Sequence, residues 1–293
     1  MGRRFARLAV IVLMTAALVV TGCTKKSEQT ATTPKVKPPV IAKAGILRAA
    51  VDLSYPPFGG RDGGVSVGLD IDVAAALADR LGLTLEIVDV KAANIPAALE
   101  SGKADIALGA LAVTDAALSS VSSAGTYLID GPAIFSSDSS ASAETSDTTV
   151  TASATETSGT VDVTRLVGLK VGVQKNSVGY WRLADDYGED FVTSYATLRE
   201  AFRALSSGEV DVVVGDAAVG MYLSRDFTRV TYAGQYGAGA PLSVSVAADA
   251  TKLADTIRAS LDALASDGVL DTIHVKWTGE TRSLEATGSS VNE

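Results

Sequence analysis

Only one cysteine, Cys23, and one histidine, His274, occur in the whole chain. A lone cysteine has no intramolecular partner, so a disulfide framework is excluded. With so few thiols and imidazoles, neither a metal-ligand cluster nor a nucleophile–histidine pair can be assembled, and no metal or cofactor is implied. His274, in "LDTIHVKW", reads as a packing or surface residue of a C-terminal helix. Carboxylates are plentiful, but their spacing singles out no acid–base pair. Positive charge is also in deficit: the formal net charge of -9 argues against nucleic acid or acidic surfaces as partners. Two stretches are poorer still in charge of one or both signs. "GALAVTDAALSSVSSAG", Gly109 to Gly125, carries only Asp115, and residues 136–163 contain no lysine, arginine or aromatic side chain.

What is present begins with "MGRRFARLAVIVLMTAALVVTGC": three arginines, an apolar run too short to span a bilayer comfortably, then small residues before Cys23. This is the three-part pattern of a secretory signal over residues 1–22. Val20-Thr21-Gly22-Cys23 resembles the bacterial lipobox, which implies that Cys23 is lipidated and anchors the protein to the membrane on its extracytoplasmic face. Removal of the signal would move the formal charge from -9 to -12. Residues 23–43, rich in Thr, Lys and Pro without apolar periodicity, read as a flexible tether. Residues 136–163, almost wholly Ser, Thr, Ala and acids, read as a disordered insertion, and 282–293 as a disordered tail.

Between these ends the chain alternates strand and helix. "GILRAAVD" is a buried-strand pattern; "DIDVAAALADRLG" has Val73, Leu77 and Leu81 at helical spacing with Gly82 as a stop. "LTLEIVDV" alternates as a strand, and a short helix through Ile95 and Leu99 ends at Gly102. "LVGLKVGVQ" gives another strand, and "TLREAFRAL" a helix opened by a Thr197–Glu200 capping box. "ALESGKADIALGALAV" (98–113) aligns without gaps on "ALSSGEVDVVVGDAAV" (204–219). Two α/β units of similar layout predict two lobes. Open α/β sheets bind ligands beyond the carboxyl ends of their strands, so the lobes should enclose a cleft. Ala110 and Asp216, at equivalent strand ends, should face it.

The ordered set "GILRAAVDLSYPPFGG", "GLDIDVAAALADRLG", "IPAALESGKAD", "GLKVGVQKNS", "ALSSGEVDVVVGD" and "LASDGVLDTIHVKWTGE" resembles bacterial solute-binding protein family 3. That resemblance implies a type II periplasmic-binding-protein-like α/β fold, with lobe 1 over 44–135 and 233–281 and lobe 2 over 136–232. It implies a non-enzymatic, monomeric component of an ABC importer that delivers a small-molecule solute, an amino acid or related amine, to a membrane permease complex. "AGQYGAGAPL" (233–242) would supply the returning hinge. Carried over residue by residue, the solute contacts are Asp52 as a polar contact, Tyr55 and Phe58 as aromatic walls, and Gln174 and Ser177 at a helix start. Asp216 would meet a solute ammonium. Core packing remains open for Tyr55 and Phe58, an N-cap role for Ser177 and a solvated acid for Asp216. The chain departs from the family where a threonine and a carboxylate-gripping arginine usually stand: those positions are Ala112 and Ala117. An aromatic wall is missing near Ala92, and Asn176 replaces the usual glycine. Arg182 and Lys175 are the nearest candidates to replace the arginine. The departures keep two alternatives open: a domain that has lost its solute and now senses or binds a partner, and an enzyme, a dehydratase or a peptidoglycan-cleaving protein, on the same fold.

Overall fold

The structure, a computed structural model, describes residues 33–109, 120–137 and 166–279. The secretory signal, Cys23, Ala110, Ala112, Ala117, most of the Ser/Thr-rich insertion and the C-terminal tail lie outside the described residues. Among the described residues no helix is long and apolar enough to cross a membrane.

Two five-stranded sheets form the frame. The first has the order β4-β1-β5-β12-β6, with β1 Ile46–Val51, β4 Thr84–Asp89, β5 Ile106–Ala107, β6 Val121–Asp130 and β12 Ala240–Ala247. The second has the order β11-β7-β10-β8-β9, with β7 Pro132–Ser137, β8 Val171–Gln174, β9 Val192–Tyr195, β10 Val212–Asp216 and β11 Val230–Gln235. Each sheet has three parallel strands: β1 lies between β4 and β5, and β8 between β10 and β9. The remaining strands run antiparallel, β12 beside β5 and β6, and β7 beside β10 and β11. The central strands are largely buried on both faces, which is why β1, apart from Arg48, and β10, up to Asp216, read as mainly apolar runs rather than alternating ones. A hairpin of β2 (Gly60–Asp62) and β3 (Val65–Val67) stands apart.

Helix α1 (Leu69–Leu81) buries Leu69, Val73, Leu77 and Leu81 on one stripe, and Gly82 ends it in the left-handed conformation. Its first turn holds Asp70 and Asp72 and its last turn Arg80, each matching the helix dipole. α2 (Ile95–Glu100) packs Ile95 and Leu99 beneath the first sheet. In the second sheet's layer are α3 (Val178–Tyr187), α4 (Leu198–Ser207) and α5 (Ala217–Ser224). Thr197 caps α4 by accepting the Glu200 N–H at 3.2 Å, the predicted box in its forward half. α6 (Thr251–Ser266) and α7 (Val269–Thr278) return to cover the first sheet, with Leu253, Ile257, Leu261 and Ile273 in its core.

The chain crosses between sheets at two adjacent places. Gly131 alone separates β6 from β7, and residues 236–239 separate β11 from β12. The crossings touch: a Cβ on Gly131 would stand 2.8 Å from the Gly239 Cα, and the Tyr236 N–H donates to the Pro132 carbonyl at 2.8 Å. Three boundaries therefore differ from the sequence reading. The first crossing falls at Gly131 rather than after Phe135, because Pro132–Phe135 pairs with β10 and β11 and Phe135 packs on Phe202 at 5.0 Å. Ser136 and Ser137, assigned by composition to the disordered insertion, continue β7, and the return crossing follows Gln235 rather than Tyr232. Residues 33–43 are not a free tether: Val36 and Ile41 are buried in the first core, the Lys35 N–H donates to the Leu81 carbonyl, and the Ala42 N–H donates to Asp105 Oδ1 at 2.9 Å. Two well-placed apolar anchors suffice to dock a segment that lacks any periodicity.

Candidate functional site

The strongest candidate lies where β10 ends and α5 begins. Asp216 occupies the N-cap position of α5 with extended backbone, the geometry in which an aspartate ordinarily accepts an N–H of its own helix. It does not do so. The Ala218 N–H instead donates to Asp130 Oδ1 at 3.0 Å, and the Ala217 N–H donates to the Gly131 carbonyl at 2.8 Å. The end of β6 thus satisfies the start of α5, and the Asp216 carboxylate makes no hydrogen bond or ion pair among the described residues. Burial raises its pKa, as expected of a carboxylate withdrawn from water without a donor.

Tyr55 comes to the same place from the first sheet. It sits in the turn after β1, where its carbonyl accepts the Gly59 N–H at 3.0 Å. Gly59 is required there, since a Cβ would stand 2.4 Å from the Asp52 carbonyl oxygen. Its ring stacks on Phe58 with centroids 5.6 Å apart and planes 8° from parallel. Phe58 is 2% exposed and belongs to the core, so it supports Tyr55 from below instead of walling a site. Tyr55 is 44% exposed. Burial around its hydroxyl, then the negative charges of Asp216 and Asp130, push its pKa up to about 12. The phenol therefore lies within electrostatic reach of both carboxylates. Asp130 in turn is pushed up to about 6, by burial first and by Asp216 as well, against the Ala218 and Gly131 N–H groups that hold it down. Two acids and a phenol converge with no positive charge among them.

Asp52 is placed differently. Burial acts to raise its pKa, but Ser54 through side chain and backbone, the Ala92 N–H and Lys91 together bring it to about 2. It accepts from Ser54 Oγ at 2.6 Å, Ser54 N at 3.0 Å, Ala92 N at 3.2 Å and Lys91 Nζ at 3.2 Å. With both oxygens engaged, Asp52 fastens the turn holding Tyr55 to the segment after β4. Ala92 contributes that N–H and, being small and exposed, no wall.

One strand over from β10, at the same carboxyl edge of the second sheet, Ser177 caps α3 by accepting the Tyr180 N–H at 3.1 Å, the N-cap alternative of the sequence reading. Asn176 has φ 60°, a left-handed conformation that asparagine tolerates better than most residues, which explains how it stands in for glycine. Gln174 ends β8, half-buried, and its carbonyl accepts the Ser177 N–H at 3.2 Å. Arg182 is not free to grip a carboxylate: its guanidinium donates to the Tyr236 and Ala238 carbonyls at 3.3 and 3.4 Å, clamping the return crossing. Lys175 is exposed.

Sequence reasoning missed Asp130, Asp70 and Tyr127. Asp130 ends an apolar strand immediately before Gly-Pro, and that polar residue ahead of a turn pair was the available signal. Asp70, fully buried, accepts from the Tyr127 hydroxyl at 2.7 Å through Oδ1, while its Oδ2 has no partner among the described residues; burial raises its pKa to about 7 despite that hydrogen bond. The same hydroxyl takes the Gly109 N–H at 3.4 Å, and His274 Nε2 meets the Tyr127 carbonyl at 2.8 Å. His274 is therefore a half-buried packing residue whose pKa burial lowers. Among the described residues no group of three or more His, Cys, Asp or Glu side chains could hold a metal ion.

Comparisons with known proteins agree with this geometry. The family model for bacterial extracellular solute-binding proteins, family 3, matches residues 47–280. An Escherichia coli (strain K12) protein named "Putative ABC transporter arginine-binding protein 2" is 26% identical over 242 residues, covering 80% of this chain and 91% of its own. Among solved structures, an ancestral cationic amino acid solute binding protein is 25% identical with a TM-score of 0.64, covering 80% of this chain and 96% of its own. A polar amino acid ABC uptake transporter substrate binding protein from Streptococcus thermophilus, 21% identical over 80% of this chain and 87% of its own, shares the fold with a TM-score of 0.66. The type II periplasmic-binding-protein fold follows, as does a role in binding solute, not in catalysis. With 47–280 matched and its paired sheets joined by two crossings, the chain belongs to the bacterial extracellular solute-binding proteins, family 3.

Proposed function

We propose that the chain captures a small cationic solute, an amino acid or related amine, between its two sheets and delivers it to an ABC permease. The observation that carries this reading is the Asp216 carboxylate, half-buried at the end of β10, without a donor among the described residues and within electrostatic reach of Tyr55. A desolvated carboxylate in that state costs free energy that an ammonium or guanidinium would recover. Tyr55 offers an apolar face for the stem of such a solute and a hydroxyl at its rim. The relatives named for arginine or cationic amino acids support the same solute class.

In this reading the lobes are 46–130 with 240–279 and 132–235, and the paired crossings at Gly131 and 236–239 are the hinge about which they close. Asp52, Phe58, Gln174 and Ser177 act through the turn and the helix start that they hold, and Ala110 and Ala112 give the first lobe's side of the cleft. Lipidated Cys23 anchors a monomer to the outer face of the cell membrane. Mass spectrometry of solute carried through purification tests the reading directly. An amine or cationic amino acid released on denaturation is the expected result; a neutral sugar, an anion or nothing released from protein that also ignores added amines would refute it.

A further inference from the structure

The first turn of α5 is served by the wrong aspartate. Asp216 stands at the N-cap with the right backbone, yet one of the two N–H groups that such a residue ordinarily takes, that of Ala218, belongs to Asp130, eighty-eight positions away in sequence. Asp130 is the last residue of β6 and the last before the Gly131 crossing. Its bond to Ala218 is therefore also a bond from the first sheet to a helix of the second. The neighbouring Ala217 N–H goes to the Gly131 carbonyl, so two successive donors of α5 are held by the crossing segment. A helix N-terminus has a small number of unsatisfied donors, and each can be spent once. With the Ala217 and Ala218 N–H groups both held by the crossing segment, neither is open to Asp216.

We propose that Asp130 is a positioning residue of the solute site: by capping α5 in place of Asp216, it leaves the Asp216 carboxylate unspent for a solute cation and ties it to the crossing between the sheets. The inference rests on the function proposed above. It adds a residue that touches no solute and names what the pair selects. An unspent carboxylate with a second one behind it reads positive charge, so arginine and its decarboxylated counterpart agmatine should both bind. The one group whose charge acts on Asp130 is Asp216, and Asp130 in turn acts on Tyr55 and Tyr127; none of them is cationic.

Two variants separate positioning from charge. In Asp130→Asn the amide oxygen can still accept the Ala218 N–H, whereas in Asp130→Ala that donor is released and Asp216 can rotate to take it. Both remove the negative charge of Asp130, so any difference between them reports the cap alone. The full-length chain, purified in detergent, would be studied in two ways. Carbon NMR of the aspartate carboxyls without solute should show Asp216 titrating at least one unit lower in Asp130→Ala than in Asp130→Asn, because a capping carboxylate is held ionised. Titration calorimetry with arginine and agmatine should show at least a tenfold weaker affinity in Asp130→Ala than in Asp130→Asn, and no further loss when Asp130→Ala is added to Asp216→Asn. Identical Asp216 titration and identical affinity in the two variants would overturn the inference, as would fully additive losses in the double variant. If the wild-type chain binds neither amine while the Asp216 titration still separates the variants, the solute reading fails and the capping assignment stands.

Discussion

The segments 98–109 and 204–215 repeat one another's backbone hydrogen bonds and then part company. Gly102 and Gly208 both turn the chain with positive φ, 66° and 77°. The next N–H in each copy returns to the carbonyl five positions back, Lys103 to Ala98 and Glu209 to Ala204, both at 2.9 Å. Then an aspartate enters the sheet: the Asp105 N–H donates to the Arg48 carbonyl and its Oδ2 accepts the Arg48 N–H, while Asp211 makes the same two bonds with Lys170. The copies differ in what surrounds this clasp. Asp105 is buried and also holds the Arg48 guanidinium and the Ala42 N–H, so it fixes the N-terminal segment to the sheet. Asp211 is half-buried and has only the backbone clasp among the bonds described. They differ again at the outlet, where the first copy reaches Gly109 above the Tyr127–Asp70 pair and the second reaches Asp216. One scaffold segment serves as an anchor beneath the first sheet and, in the second, as a mount for the carboxylate proposed above to face the solute.

The largest expected effect breaks the comparison at the clasp. Asp105→Ala leaves the Arg48 charge, whose side chain is 14% exposed, without its partner and strands two backbone donors. A loss of roughly 3–5 kcal/mol follows for such a broken buried pair. Asp211→Ala should cost only about 1 kcal/mol, one net hydrogen bond. Thermal unfolding should therefore separate the two variants by on the order of 10 °C for a domain of this size.

The next effect concerns the carboxyl groups behind the two outlets. Asp70 and Asp130 have folded pKa values raised to about 7 and about 6, above the roughly 3.9 of an unfolded aspartate. The folded state then binds protons more tightly than the unfolded one, so stability increases as pH falls through 7 to 4 and is lost as pH rises through the same window. Asp52, held at about 2, acts in the opposite sense and withdraws its contribution below about pH 4. Solute-free protein should consequently be most stable near pH 5, by roughly 2–4 kcal/mol over pH 8. Asp70→Asn should remove most of that slope, as seen by melting temperature against pH.

A smaller effect separates the outlets by function. Asp216→Asn should weaken binding of a cationic amino acid roughly 10- to 100-fold without lowering the melting temperature, since a hydrogen bond to a charged group is worth about 1.5–3 kcal/mol. Asp211→Asn, five residues earlier, should leave affinity unchanged in the same titration. The smallest effect tests the identity of the copies: Gly102→Ala and Gly208→Ala each force a side chain into a left-handed turn, and both should cost about 1 kcal/mol. Open space surrounds both glycines, so only the backbone is tested.

The repeat was legible in the sequence because its determinants are local: an αL glycine, an apolar run and an aspartate at fixed spacing. α1 and α4 were legible for the same reason, their stripes and caps being written in adjacent turns. What escaped was non-local. The anchoring of Val36 and Ile41 depends on a sheet edge and helix brought there by folding, and no period marks it. The crossing at Gly131 lies inside "YLIDGPAIF", which reads as continuous apolar chain until the strand pairing on either side of the glycine is seen. Asp216 could be picked out by its place at a strand end. Asp130, which takes its cap, is bound to Ala218 only through tertiary structure, and nothing in either segment announces the exchange.

The central claim is that Asp216 is an unspent carboxylate awaiting a solute cation. Calorimetric titration of wild-type and Asp216→Asn protein with arginine, at pH 7.5 and with matched folding by circular dichroism, tests it most directly. Saturable one-to-one binding by the wild type that weakens at least tenfold in the variant is the predicted result. Equal affinity in the two proteins would contradict it.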